Sequence, residues 1–447
     1  MNHEESRPLS SLIVGAGISG LTLGCLLHEA NQKVTVLERS ERPGGSIETL
    51  KEDGYLLELG PNTVLNNNVA IDELIRKVGL EEEKLIAGQT SRKRFIFRND
   101  RLVPLPGGPI GFLTTPVFSW KAKFRLLAEP FIGRAEREET IAEFVTRRLG
   151  PEFLTWAVGP FVSGVYAGDA SRLSVRWATR KIYALEEKYG GLIRGALAKR
   201  KGPQPAGGLL SFREGLGALP NALGNYLGSN LHHGCAVQSI HTDGKGFSII
   251  SDNGSTYQAD RVIITGDAKD AARILDPLGE TEPLSSMPYA GVIVVGMGFS
   301  RDAVKHPLDG FGFLVPPFYN KPILGCLFPS TLFPGRAPED RVLLTAFLGG
   351  SMHMDVLDWE DDRVMATTMD FLRPLLGITG DPSFVRMKHW PRAIPQYTIG
   401  HGERVRWAEE MRKTHPGLEF AGNLLSGVSV ADCIGNASVL MDRLLHS

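Results

Sequence analysis

Cysteine is scarce in this chain: Cys25, Cys235, Cys326 and Cys433 are the four among 447 residues, and they lie far apart. No C-x-x-C pair and no histidine at ligand spacing accompanies them, which argues against a disulfide framework or a thiolate metal site and predicts reduced, buried thiols. Neither sign of charge is in excess, with 49 Lys plus Arg against 50 Asp plus Glu, so no net field points to a nucleic-acid partner. Long hydrophobic runs are missing as well. Although 42% of residues are hydrophobic, no stretch approaches the roughly 20 residues of a spanning helix, which leaves a soluble chain or one lying on a membrane surface. The first ten residues carry neither the apolar core of a secretory signal nor a lipidation pattern, and are expected to form a short disordered arm. Internal repeats, low-complexity tracts and any convincing Ser-His-Asp or Cys-His set are also lacking. His232-His233 and Met352-His353-Met354 bring no complete ligand set: adjacent strand histidines face opposite ways and methionine commonly fills core gaps, so no metal is expected.

What is present is length, enough for a large core in two or three lobes. Residues 11–15 form an apolar, strand-like run that breaks into glycines. Residues 21–30 have helical spacing and residues 33–38 alternate as a second strand, giving a strand, turn, helix, strand unit. Residues 98–116 are rich in Pro and Gly, and from about 119 to 202 the pattern is helical, as in an inserted lobe. Residues 201–208 (KGPQPAGG) have linker composition. Strands return at 236–241, 247–250 and 261–265, where the first domain is expected to resume. The runs GVIVVGMGF, FGFLVP and VLLTAFLGG between 291 and 350 predict a mixed or antiparallel sheet, and residues 430–445 read as one helix.

Gly15, Gly17 and Gly20 form G-x-G-x-x-G between that first strand and its helix. The first glycine permits a tight turn, the second lets backbone approach a pyrophosphate, and the third lets helix pack on strand. Phosphates would then meet free N–H groups at the positive end of the helix. Glu38, at the end of the second strand, can accept both hydroxyls of an adenosine ribose; a surface strand-end glutamate is the plainer reading. Gly44, Gly45, Gly60, Pro61, Asn62 and Thr63 add points of backbone approach suited to a longer dinucleotide such as FAD. Near the other end, FAGNLLSG leads into Val428, Ser429 and Val430 at the start of the last helix. Its dipole would stabilise reduced flavin if it faces the ring, while a simple cap at Ser429 accounts for the same residues.

These residues resemble the GR2-type flavoproteins, which include amine oxidases, carotenoid desaturases and protoporphyrinogen oxidases. The resemblance to the protoporphyrinogen oxidase family spans nearly the whole chain. It is carried by GAGISGL (15–21), ERPGG (41–45), LELGPNT (57–63), RFIF (94–97), FVSGVYAGDASRLS (161–174) and SFREGLGALPNAL (211–223). GFGFLVP (310–316), FPGRAP (333–338), PQYTIGH (395–401) and AGNLLSGVSVADCI (421–434) complete it. It implies an α/β fold with three parts. A discontinuous Rossmann-like FAD-binding domain would comprise 10–88, 207–280 and 415–447, and a mixed-sheet substrate domain 89–97 and 281–414. An inserted helical, membrane-associating lobe would be 98–206.

The resemblance places FAD against Gly15, Ala16, Gly17, Ile18, Ser19, Gly20, Glu38, Arg39, Gly44, Gly45, Ser46, Gly60, Pro61, Asn62, Thr63, Val237, Gly422, Val428, Ser429 and Val430. It matches Arg94 to an arginine that pairs with a substrate propionate, and Gly164, Ala167, Phe311, Leu314 and Phe347 to pocket walls. Gly402 departs from the family pattern, which has Trp there. The implied reaction is six-electron oxidation of protoporphyrinogen IX to protoporphyrin IX through FAD, with dioxygen as acceptor, so no side chain need act as a nucleophile. Phe313 and Leu348 are further wall candidates, although plain sheet core accounts equally for such residues. In the lobe, Leu102, Pro104, Phe112, Phe118, Trp120, Phe124 and Phe131 beside Lys121, Lys123 and Arg125 suit contact with a membrane surface, or else lobe core with a solvated face. The expected setting is the cytoplasm or the cytoplasmic face of the inner membrane, with a homodimer left open. Rival readings are coproporphyrinogen III oxidase, an amine oxidase or carotenoid desaturase, for which no aromatic-cage motif is found, and a flavin-free binding module on the same fold.

Overall fold

The apolar run Ser10–Val14 forms strand β1 and is buried from both sides of its sheet. In this computed structural model, residues 9–199 and 207–446 are described. The expected N-terminal arm thus lies largely outside the described residues, as does most of the 201–208 linker. Ser10, included in that arm, instead opens β1, and its N–H and hydroxyl are both held by the Asp260 carboxylate. β1 pairs in parallel with β2 (Lys33–Leu37) on one side and with Arg261–Ile264 on the other. Leu231–His232 and Leu418–Phe420 complete the five-stranded parallel sheet. Parallel strands are covered on both faces, which is why Val262, Ile263 and Ile264 read as a continuous apolar run rather than an alternation.

On one face lies helix α1 (Ile18–Glu29), against which the C-terminal helix Val430–His446 packs; Leu21, Leu23 and Leu27 share a core with Ile434, Ala437 and Leu440. On the other face, Leu12 and Ile264 meet a separate antiparallel sheet, Val237–Thr242, Phe247–Ser251 and Thr256–Ala259, together with helix Ala268–Leu275. The strands that return in this part of the chain divide between the two sheets. Of the three returning strands only Arg261–Ile264 joins the parallel sheet. The other two alternate, burying Ile240, Phe247 and Ile249 on one side, as half-covered antiparallel strands do.

A second, seven-stranded mixed sheet runs in the order Phe384–Pro395, Tyr289–Ser300, Arg341–Gly349, Ile323–Leu327, Gly312–Leu314, Phe95–Arg98, Arg101–Pro104. Its final hairpin crosses the expected boundary between residues 97 and 98. One face is covered by helix Asp361–Leu376. Against another part lies the hairpin Thr49–Glu52/Tyr55–Glu58, and it explains two glycines of Tyr289–Ser300. A Cβ on Gly296 would come 2.3 Å from Leu57, and one on Gly298 would come 2.4 Å from Tyr55. Between Phe95–Arg98 and the linker the chain is mainly helical, with a core of Phe144, Val162, Leu173 and Val175. In this part Arg148 is wholly buried between the carboxylates of Glu129 and Glu186.

Candidate functional site

The turn after β1 is dictated by glycine geometry. Gly15 has φ +102° and donates its N–H to Leu37 O at 2.8 Å. A Cβ on Gly20 would stand 2.0 Å from the Gly15 carbonyl oxygen, so only glycine lets α1 begin this close to the strand. Gly17 is different. It caps α1 with no side-chain hydrogen bond, and no atom lies within 4 Å of where its Cβ would be, so that side of the helix start is open. Such a helix end is a natural anion site.

Two more glycine segments stack on this turn. Gly44 donates to Ala16 O at 2.8 Å, and a Cβ on Gly45 would lie 3.5 Å from Gly17 Cα. A Cβ on Gly60 would collide with Ser46 O at 1.9 Å, and Asn62 Nδ2 donates to Gly60 O beside Pro61 and Thr63. Glu38 is buried; its Oε2 accepts the Ala16 N–H at 2.7 Å and its Oε1 the Ser40 N–H at 2.9 Å. Each carboxylate oxygen retains acceptor capacity beyond these bonds.

The C-terminal segment reaches the same place. Ala421 donates to Ile264 O, and a Cβ on Gly422 would fall 3.4 Å from Ser19 Oγ. Val428 and Val430 follow at the start of the last helix, and Ser429 does cap it: Ser429 Oγ accepts the Asp432 N–H at 3.1 Å and donates to the Asp432 carboxylate. The other predicted cofactor residues differ in their surroundings. Arg39 pairs with Asp270 at 2.6 Å, and the buried Val237 gives its carbonyl to Arg273. Ser46 is exposed, and Ile18 is buried.

Two residues that sequence reasoning did not single out hold the C-terminal segment. Tyr397 Oη donates to Asn423 O at 2.6 Å, and His401 Nε2 lies 2.8 Å from Leu425 O. Burial pushes the His401 imidazole down to about 4, so it is neutral near pH 7 and Nε2 is the donor. Their only signal in the sequence was their place in PQYTIGH. The departure at Gly402 also has a structural counterpart, because Trp177 occupies the neighbouring space, 3.2 Å from where a Cβ would stand.

The predicted substrate residues fall into three contacts along the second sheet. The Arg94 guanidinium lies over the Phe311 ring, 5.3 Å from its centre. A Cβ on Gly164 would come 2.2 Å from Leu314 Cδ2, so helix Gly159–Tyr166 packs closely on Gly312–Leu314. Ala167, in the left-handed region at φ +46°, lies with Phe347, Val292, Val294, Leu324 and Trp390 in one apolar cluster. Phe313 and Leu348 are not part of this wall. Strand alternation turns them to the opposite face, into the core that helix Asp361–Leu376 covers.

In the lobe the predicted apolar face divides. Phe112 and Phe118 stack inward with Phe153. Trp120, Phe124 and Phe131 are 62%, 65% and 84% exposed, with Ile110 and Leu127 exposed too. Two of the basic neighbours serve the lobe's interior: Lys123, 8% exposed, donates to the carbonyls of Leu113 and Thr115, and the half-buried Arg125 donates to the carbonyl of Arg147 at 2.7 Å. No helix among the described residues is long and apolar enough to cross a membrane.

A family model described as flavin-containing amine oxidoreductase matches residues 18–437, from the start of α1 into the last helix. The chain belongs to that family. It is an FAD-dependent oxidoreductase of mixed α/β fold. Among curated relatives, protoporphyrinogen oxidase 1 of Spinacia oleracea is 32% identical, over 96% of this chain and 83% of that one. Coproporphyrinogen III oxidase of Bacillus subtilis is 29% identical, over 96% of each. Among solved structures, a candidate protoporphyrinogen oxidase from Exiguobacterium sp. 255-15 has a TM-score of 0.84 at 25% identity and covers 99% of this chain and 100% of its own. The residues present fit FAD: three glycine segments converge where a side chain would intrude, beside an uncapped helix start and a buried carboxylate with acceptor capacity to spare.

Proposed function

We propose that the chain oxidises protoporphyrinogen IX to protoporphyrin IX, with dioxygen as final acceptor, in tetrapyrrole biosynthesis. The observation that carries this reading is the apolar wall of Leu314, Leu324 and Phe347 with Arg94 at one end, stacked on Phe311 and, among the described residues, in no ion pair. A flat macrocycle wants such a wall, and a guanidinium grips a propionate with paired hydrogen bonds. FAD, when bound, takes electrons from the substrate in two-electron steps and passes them to oxygen. The chain's own part is to bind and orient. Gly15, Gly17 and Gly20 let backbone N–H groups reach the pyrophosphate, Glu38 accepts ribose hydroxyls, and the start of Val430–His446 offers its positive end to charge near the ring. Ser46, Gly60, Pro61, Asn62, Thr63 and Gly422 line the path between them.

In this reading the FAD-binding part is a discontinuous Rossmann-like domain built from 10–88, 207–280 and 415–447. The seven-stranded sheet, with its hairpin Phe95–Arg98/Arg101–Pro104, is the substrate floor, and residues 105–199 form a lobe whose exposed Trp120, Phe124 and Phe131 rest on a membrane surface. The purified protein should be yellow and should generate porphyrin fluorescence from protoporphyrinogen IX. Absence of that fluorescence from flavin-loaded protein would overturn the reading. A second reading, oxidation of coproporphyrinogen III, is favoured by the Bacillus subtilis relative, which matches end to end. Initial rates with the two porphyrinogens decide between them.

A further inference from the structure

The segment between Gly422 and the last helix is held in place by side chains from elsewhere in the chain. Gly422 and Gly427 turn the backbone at φ +82° and +74°, and residues 425–429 belong to neither helix nor strand. The Asn423 and Leu425 carbonyls meet Tyr397 Oη and His401 Nε2, and the Ser426 carbonyl accepts from Asn436 Nδ2 at 2.9 Å. Tyr397 and His401 are both wholly buried, with ring centres 4.4 Å apart. The second imidazole nitrogen, His401 Nδ1, is buried with no partner among the described residues. Such a nitrogen costs stability, and a leucine in its place would be free of that cost. What the imidazole contributes here is its bond to Leu425 O.

The same two residues are seated on the helical lobe. Tyr397 O accepts the Ser174 N–H at 2.8 Å, the Ile399 N–H donates to Arg172 O, and Trp177 sets its ring edge-on to His401, with 5.6 Å between centres. Ser174 also caps the short helix Val175–Ala178 that carries Trp177. The lobe reaches the far end of the segment too, where Lys181 pairs with the Asp432 carboxylate at 2.9 Å. Asp432 in turn accepts from Ser429 Oγ at the start of the last helix. Resting on the reading that this helix start faces the flavin ring, we infer that Tyr397 and His401 are positioning residues through which the lobe sets the flavin end of the site. They act through the backbone they hold. Seating of the lobe and affinity for FAD are thereby linked, and the link is reciprocal: what loosens Trp177 weakens flavin binding, and bound flavin tightens the lobe.

The test measures FAD affinity by fluorescence titration and the flavin midpoint potential by dye-coupled reduction in Tyr397→Phe, His401→Leu, His401→Gln and Trp177→Leu. Tyr397→Phe and His401→Leu should raise the Kd for FAD about tenfold, the scale of one buried hydrogen bond. They should also lower the potential by about 30 mV, a tenfold change for a two-electron couple, as the positive helix end shifts away from the reduced ring. His401→Gln keeps the donor and should restore most of both. Trp177→Leu should move both quantities the same way. Thr368→Val removes a buried hydroxyl in the helix behind the second sheet and is the control for lost stability alone. Potentials of Tyr397→Phe and His401→Leu equal to the parent's, or a control that shifts as far, overturn the positioning role. An inert Trp177→Leu overturns the link to the lobe. Ser429→Asp keeps the cap and adds a negative charge; if it leaves the potential unchanged, the helix start does not face the ring and that reading is what fails. Positioning is then judged without flavin: amide exchange across 423–429 should quicken about tenfold in Tyr397→Phe and His401→Leu, and unchanged exchange overturns it.

Discussion

The carboxylate of Glu38 accepts the backbone N–H of Ala16 at 2.7 Å, joining the end of β2 to the turn that leaves β1. Glu38→Gln keeps one acceptor oxygen and loses the charge; Glu38→Ala loses both. FAD affinity should fall about tenfold for the glutamine and about a hundredfold for the alanine, on the scale of one or two charge-assisted bonds. Quenching of flavin fluorescence on titration measures it.

Gly20 and Gly17 look alike in the motif but are constrained differently. Gly20→Ala puts a methyl 2.0 Å from the Gly15 carbonyl, so the fold itself should suffer, by about 3 kcal/mol. Gly17→Ala meets open space and should unfold at nearly the parent temperature while binding FAD poorly. Thermal unfolding of both apoproteins separates the two effects, and equal Tm losses would contradict the assignment.

His401 supplies a pH dependence of stability. Its folded value, about 4, lies below the ordinary 6.5, so the unfolded chain binds the extra proton between these limits. Stability contributed by neutral His401 is thus complete above about pH 6.5 and is lost as pH falls towards 4, by at most about 3 kcal/mol. Urea unfolding at pH 7.5 and 5 should show a larger loss for the parent than for His401→Gln, whose amide still donates to Leu425 O.

The exposed aromatics of the lobe give a surface test. Trp120→Ser/Phe124→Ser/Phe131→Ser should abolish sedimentation with anionic lipid vesicles while leaving Tm and the flavin content of the protein unchanged, because these side chains are solvent-facing. Retained vesicle binding would remove the lobe from that role.

Much of the nucleotide half was legible in the sequence because its constraints are local: a buried parallel strand is an unbroken apolar run, and a turn that excludes Cβ must be glycine. The substrate floor was partly legible, since Tyr289–Ser300 and Arg341–Gly349 are apolar. Phe384–Pro395 was not seen as a strand, because as an edge strand it carries Arg386, Lys388 and Arg392 facing solvent or carboxylates. Which face a residue takes was the harder question. Phe347 and Leu348 are neighbours with the same chemistry, and only the register decides that one lines the wall and the other the core. Tyr397 and His401 act on a segment more than twenty residues away, a relation no spacing rule contains.

Because the helix Val430–His446 packs on α1, and Leu418–Phe420 forms the far edge of the β1 sheet, an element made early is completed only by one made much later. During synthesis that side of α1 waits uncovered while the residues between the two helices are added. Until that helix is in place the apolar side of α1 is open to contact with other chains. A stop codon just before Val430 would then yield an insoluble product rather than an apoenzyme.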